Sequence, residues 1–238
     1  MNTATLTLSE EILGAVSSTA LLKHPFYQAW EAGELDLDIL KKYAKQYYHH
    51  VKAFPRYISA THSLCDELPA RQVLMENLHD EEYGDDNHPK LWLDFAMGLG
   101  AKKDEAEEEI NLLNAETKNL IDTFFELARS SYIEGLVALY VYEQQVPEIC
   151  ETKISGLNEF YGIKDDKTLE YFKLHGEVDI LHSEATRALV DQLSDEDREK
   201  ALNAAKKASK ALWGFLDGME RLRLDAGGKA MECSTACH

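Results

Sequence analysis

The stretch Tyr171-Phe172-Lys173-Leu174-His175-Gly176-Glu177-Val178-Asp179-Ile180-Leu181-His182 reads with the period of an α-helix. His175, Asp179 and His182 follow one another at spacings of four and three, which puts all three on one helical face. Their row continues as Phe172, His175, Asp179, His182, Thr186 and Leu189. A second row, Tyr171, Leu174, Val178, Leu181, Ala185 and Ala188, is almost wholly apolar, so it is expected to be the buried stripe with the polar triplet at its border. Outward from this segment, apolar residues recur at three and four through most of the chain. No run of alternating β-branched residues and no internal repeat interrupts them. The expected fold is all-α, a single bundle of seven to eight helices.

The first helix opens at Thr7, whose spacing to Glu10 fits a capping box, and is expected to reach about Lys23. A second runs from about Pro25 to Gly33, and a long third from about Asp36 to Cys65, where Pro55 should introduce a kink. Pro69 opens a fourth, ending near Tyr83-Gly84, and Pro89 a fifth, ending at Gly98 to Gly100. The acidic stretch Asp104 to Glu109 reads as a solvated face or short helix. A sixth helix spans about Glu116 to Gly156 through Gly135 and Pro147, a seventh about Asp166 to Leu193, and the last runs from near Ser194 to before Gly227. Residues 1–238 read as one domain, with 225–238 expected to be a disordered tail.

The chain has 238 residues, 45% of them hydrophobic, enough apolar surface to offset the entropy of ordering. Against 25 Lys+Arg stand 43 Asp+Glu, a net charge of -18 that repels phosphate backbones and anionic headgroups. Nucleic-acid and membrane-surface partners are therefore not expected. No apolar run approaches the ~20 residues needed to cross a bilayer, and Met1-Asn2-Thr3 lacks the basic and apolar segments of a signal peptide. The expected compartment is the cytoplasm. The four cysteines, Cys65, Cys150, Cys233 and Cys237, are not expected to form a disulfide framework.

In a bundle, sites are assembled from polar side chains on facing helices, so inward polar positions carry the functional information. Glu143 shares a helical face with Leu136, Leu139, Tyr140 and Val146, where an ionised carboxylate needs a partner or a cation. Pro147, four residues later, removes the hydrogen bond to the Glu143 carbonyl and should bend the helix there. The run Asp80 to His88 adds Glu81 and, seven residues on, His88. An unbroken helix would put both on one face, but Gly84 and Pro89 interrupt it. Glu81, His88, Glu143, His175, Asp179 and His182 together give three carboxylates and three imidazoles. Two divalent cations would bring +4 against -3, with a metal separation of ~3.5–4 Å. Mixed oxygen and nitrogen donors without thiolate point to iron or manganese rather than structural zinc. Ferritin-like sites use two Glu-x-x-His motifs, whereas only Glu76 to His79 has that spacing here.

These residues, together with Phe26-Tyr27, Tyr43-Ala-Lys-Gln-Tyr-Tyr48, Lys52-Ala-Phe-Pro55, Asn77-Leu-His-Asp-Glu-Glu82, Asn87-His88 and Ala138-Leu-Tyr-Val-Tyr-Glu143, resemble the family of the Chlamydia protein associating with death domains. The resemblance covers roughly residues 20 to 222. That family lies within the wider group related to the thiaminase TenA and the oxidase PqqC, built on the haem-oxygenase-like bundle. The resemblance implies a self-sacrificing 4-aminobenzoate synthase for folate biosynthesis: a single-turnover, dinuclear-metal oxygenase (Fe/Fe or Fe/Mn) using O2 and an external reductant. It implies Tyr27 as ring donor, Lys153 as amino donor, Tyr43 and Tyr142 beside the centre, and a homodimer. On a straight helix Lys153 would lie ~15 Å along the axis from Glu143 and about 80° around it, so its approach needs a bend or break at Pro147. The alternatives are a multi-turnover thiaminase or oxidase of the wider group and a non-catalytic interaction protein.

Overall fold

The computed structural model describes residues 6–107 and 113–231. Cys233, Cys237 and the end of the expected tail lie outside the described residues, as does the acidic stretch beyond residue 107. Among the described residues the chain is helical without strands, in eleven segments rather than seven or eight. They are α1 (Leu8–Val16), α2 (Pro25–Glu31), α3 (Leu37–Ser63), α4 (Leu68–Glu82), α5 (His88–Gly98), α6 (Lys103–Ala106), α7 (Ala115–Ser130), α8 (Tyr132–Glu143), α9 (Val146–Phe160), α10 (Asp166–Val190) and α11 (Arg198–Asp225).

Two of the additional helices come from breaks that the apolar period runs straight across, and the third is the short α6 in the acidic stretch. The Thr7/Glu10 capping box is present, but α1 stops at Val16 and two 3-10 turns, Ser17–Thr19 and Leu21–Lys23, replace its expected second half. The expected sixth helix is three. Ser131, in extended backbone, ends α7 and caps α8 by accepting the Glu134 N–H, a Ser-x-x-Glu start signal sitting inside a continuous apolar pattern. After Glu143 the chain leaves α8, and α9 restarts at Val146 with Pro147 in its first turn, where a missing N–H is harmless. Pro55, by contrast, lies within α3, which continues through it to Ser63.

Helix α3 runs through the bundle against α4, α5, α7 and α8, while α10 packs on α5, α8 and α9, and α11 closes the other side on α7 and α8. Gly135 lets α3 and α8 approach, because a Cβ there would collide with Thr61. The core is aromatic, with Phe26, Trp30, Tyr43, Tyr57, Trp92, Phe95, Phe124, Phe172 and Phe215 all almost fully buried. No described helix is long and apolar enough to cross a membrane. Cys65 and Cys150 are free and buried.

Helix α10 reverses the sequence-based expectation. Its polar row is the buried one: Phe172, His175, Asp179, His182, Thr186 and Leu189 are each 9% exposed or less. Of the apolar row only Tyr171 is buried, and Leu181 is 67% exposed. Hydrophobicity alone does not orient a helix whose inward positions hold a polar site.

Candidate metal centre and amine chamber

Four helices bring the six polar candidates into the interior. Glu81 sits on the last turn of α4, His88 at the start of α5, Glu143 at the last residue of α8, and His175, Asp179 and His182 along α10. Glu81 and His88 do not share a helix. Gly84, at φ +87°, turns the chain between them, and Asn87 starts α5 by accepting the Lys90 N–H. His88 Nδ1 nevertheless lies 2.7 Å from Glu81 Oε2. Glu81, His88 and His175 each present a donor atom within 4.8 Å of the other two. Beside them, His182 Nδ1 stands 3.6 Å from Asp179 Oδ1. Glu143 accepts a hydrogen bond from Asn77 Nδ2; Thr186 Oγ1, which donates to the His182 carbonyl at 2.8 Å, stands 3.5 Å from the other Glu143 oxygen.

Several of these atoms are buried without a hydrogen-bond partner: both ring nitrogens of His88, Asp179 Oδ2 and His182 Nδ1. His88 Nδ1 is near Glu81 Oε2, yet the two are misaligned for a hydrogen bond. Two donors at right angles on one ion, each ~2.1 Å from it, are themselves ~3 Å apart, so this approach fits shared ligation better than pairing. The outer contacts agree. His175 Nδ1 is 2.7 Å from the Tyr171 carbonyl, which fixes its proton there and leaves Nε2 free. Asp80 Oδ2 is 3.0 Å from His182 Nε2, leaving Nδ1 free.

Electrostatics give the same picture. Burial, reinforced by Asp179, pushes the Glu143 carboxyl up to about 8, and burial pushes Asp179 up to about 6. His175 is driven well below its ordinary value by burial and by its imidazole neighbours. Burial alone would lower His182, but the Asp179, Glu143 and Asp80 carboxylates outweigh it and hold the imidazole at about 9. Without a cation the cluster keeps its acids partly protonated; a divalent ion inverts that preference.

The second constellation lies along α2, α3 and α9. Because α9 starts afresh at Val146, Lys153 points inward and is only 4% exposed. Its Nζ donates to Tyr43 Oη at 2.8 Å, and Tyr43 Oη is 3.2 Å from Tyr27 Oη. Six ring faces surround the amine, with centroids at 5.1–5.9 Å from Nζ. Burial lowers Lys153 to about 8 and raises the Tyr27 and Tyr43 phenols. Tyr47 Oη donates to Tyr142 Oη at 3.0 Å. Tyr27, Tyr47, Tyr142, Cys150, Lys153 and Tyr171 contribute to the wall of a cavity of ≈ 20 Å³.

A family model described as iron-containing redox enzyme matches residues 41–213. A 4-aminobenzoate synthase of Chlamydia muridarum is 38% identical over 230 residues, covering 96% of this chain and 92% of its own. A 4-aminobenzoate synthase of Nitrosomonas europaea is 40% identical over 228 residues, covering 91% and 92% respectively. The chain belongs to the iron-containing redox enzymes, in the family of the 4-aminobenzoate synthases. The fold is haem-oxygenase-like: a Shewanella denitrificans domain of unknown function with that fold superposes with a TM-score of 0.73 at 13% identity, over 97% of this chain and 96% of that one.

In this family member, Tyr171 joins the two constellations. It lines the cavity and stacks on His175 with ring centroids 3.9 Å apart. Sequence reading passed over it, although it precedes His175 by one helical turn. It also passed over Asn77 and Asp80, respectively one turn and one residue before Glu81, because their value lies in contacts with other helices. Thr186, one turn beyond His182, was placed on the right row without a role.

Proposed function

We propose that the chain makes 4-aminobenzoate in a single O2-dependent turnover, taking the aromatic ring from its own Tyr27 and the nitrogen from Lys153. The observation that carries this reading is the relay Lys153 Nζ to Tyr43 Oη to Tyr27 Oη, at 2.8 and 3.2 Å, buried in the interior and joined through Tyr171 to the six-residue donor cluster.

Glu81, His88 and His175 would hold one metal ion, and Glu143, Asp179 and His182 the other, as an Fe/Fe or Fe/Mn pair. When bound, the pair supplies O2 activation, with electrons from an external reductant. The chain's own groups do the rest. Asn77 orients Glu143, Asp80 orients His182, and the Tyr171 carbonyl orients His175. Burial lowers Lys153 to about 8, so a useful fraction of its amine is unprotonated and nucleophilic near neutral pH. The rings around it exclude water and hold amine and phenol in one orientation.

The experiment is to load the protein with iron, or with iron and manganese, reduce it, and admit O2. Peptide mass analysis is expected to find Tyr27 altered and close to one equivalent of 4-aminobenzoate, with Tyr27→Phe giving none. An intact Tyr27 peptide alongside full product would exclude Tyr27 as the ring source, and many equivalents per chain would replace this reading with a multi-turnover enzyme.

A further inference from the structure

The small cavity beside Lys153 has only two wall residues in common with a second hollow. That outer cleft, ≈ 230 Å³, opens to solvent between the Ser17–Lys23 turns and the first turns of α9. Leu21 and Ile149 line both spaces, and no other described residue does. These two side chains form the wall that the chamber shares with the solvent-open cleft.

They are held very differently. Ile149 belongs to a regular helix of fifteen residues. Leu21 opens a three-residue 3-10 turn entered from extended backbone at Ala20. Its N–H donates to Gln145 Oε1 at 2.9 Å, and Gln145 Nε2 in turn donates to the Val141 carbonyl at 2.9 Å. A short turn with few backbone hydrogen bonds opens at lower free energy than a helix packed on both sides. Leu21 is thus the movable wall, and Gln145, placed in the gap between α8 and α9, is what fastens it.

The chemistry of the two spaces differs too. At ≈ 20 Å³ the chamber has room for about one water-sized molecule and is mostly apolar, which suits dioxygen. The outer cleft has an aliphatic floor of Leu13, Val16 and Leu22, with Lys23, Gln144 and Glu148 at its rim. Lys23 Nζ, which gives one proton to the Ser17 carbonyl at 2.9 Å, keeps two more for a carboxylate, so the pattern suits a small aromatic acid with its ring on the aliphatic side.

We propose that this cleft is the passage between solvent and the chamber, admitting dioxygen and holding a departing aromatic carboxylate, with Leu21 as the moving partition and Gln145 as its latch. The identity of the departing molecule rests on the synthase reading above, whereas the passage itself does not.

The test uses the full-length, metal-free protein and needs no turnover. Trp92 lines the chamber and the Trp30 ring lies 5.9 Å from Lys153 Nζ, so in a Trp213→Phe background, which removes the partly exposed third indole, dissolved O2 quenching of tryptophan fluorescence reports entry. Leu21→Ala and Gln145→Ala are each expected to raise the quenching constant at least threefold, with unchanged far-UV circular dichroism. Leu22→Ala, which touches the cleft but not the partition, should leave it unchanged. Leu21→Val serves in place of Leu21→Ala if the latter does not fold. Unaltered quenching in the folded Leu21 variant, or an equal rise in Leu22→Ala, overturns the passage. For the outbound molecule, 4-aminobenzoate titrated into the same protein should bind, with Lys23→Gln weakening it at least fivefold. Absent binding, or indifference to Lys23→Gln, overturns that half. Normal quenching behaviour in a protein that yields no product would count against the synthase reading alone.

Discussion

On the two sides of Tyr171 lie two buried regions of opposite character. Toward α4, α5, α8 and the middle of α10, three carboxylates and three imidazoles meet, all within 9% exposure or less. Toward α2, α3 and α9, a single amine sits among six aromatic faces and one phenol. Burial penalises charge in both, but the remedies differ. The first region is oversupplied with acceptors, so only protons or cations can neutralise it. The second has no carboxylate against its amine, so the amine sheds its proton more readily and the ring faces take part of the remaining charge. One scaffold thereby keeps a cation-demanding site and a nucleophilic amine within reach of each other without letting them form an ion pair.

The strongest way to break this contrast is to empty the acceptor-rich side. Glu143→Leu should remove a buried carboxylate on which Asn77 and the proposed second ion converge. Metal analysis is expected to show at least one of two ions lost, and product to fall at least ~100-fold. Two retained ions would show that Glu143 is not a ligand.

A titration sharpens the contrast next. In metal-free protein, Glu143 at about 8, Asp179 at about 6 and His182 at about 9 all hold protons that the unfolded chain releases nearer 4.5, 3.8 and 6.5. The folded state therefore binds more protons across that window, and stability falls as pH rises from about 5 toward 9. Taken one by one the three shifts would sum to ~9 kcal/mol between pH 5 and 9; because the groups titrate as one cluster the expected loss is smaller, several kcal/mol, by denaturant unfolding with a chelator present. Saturating metal should abolish the slope. A flat profile in chelator would mean that the acids are less desolvated than the geometry implies.

On the amine side the sign reverses. Lys153 at about 8 releases a proton that the unfolded chain keeps to 10.5, so burying it costs stability below about pH 8 and the penalty fades by pH 10.5. Lys153→Met should stabilise the protein at pH 7 by ~2 kcal/mol, after allowing for the lost bond to Tyr43, with the gain vanishing at alkaline pH. Product should be lost and metal content unchanged. Destabilisation at pH 7 would show that the ring faces and Tyr43 already compensate the charge.

The smallest effect is expected from Asn77→Ala, which removes a partner of Glu143 but no ligand. A competition titration should show metal affinity weakened ~10-fold, about 1.4 kcal/mol. No change would place Asn77 outside the site's support.

Much of this arrangement was readable in advance, and the failures have physical causes. The spacing of His175, Asp179 and His182 required one face, and Glu143 among Leu136, Leu139 and Tyr140 required burial; the structure bears out both. The apolar period could not show where the chain breaks. Ser131 and the Gln144–Gln145 gap lie at either end of the buried, mostly apolar stretch Gly135 to Tyr142, whose spacing continues in register into α7 and α9 and so does not mark the breaks. It also named the wrong inward row on α10, since Leu174, Val178 and Leu181 outscore His175, Asp179 and His182 on hydrophobicity. Tyr171, Asn77 and Asp80 were overlooked because nothing local distinguishes a tyrosine, asparagine or aspartate that meets a neighbouring helix from one that meets water.

The amino-acid sequence by itself determined the helical class, the chemical inventory of the candidate centre and the local spacings that group its residues, since these follow from side-chain type and a period of 3.6. Tertiary structure alone decided that Glu81 and His88 meet across a turn, that α10 buries its polar face, and that the break after Glu143 swings Lys153 onto Tyr43. Those outcomes depend on which helices pack together and at what angle, a balance of contacts among segments far apart in the chain that no local pattern encodes.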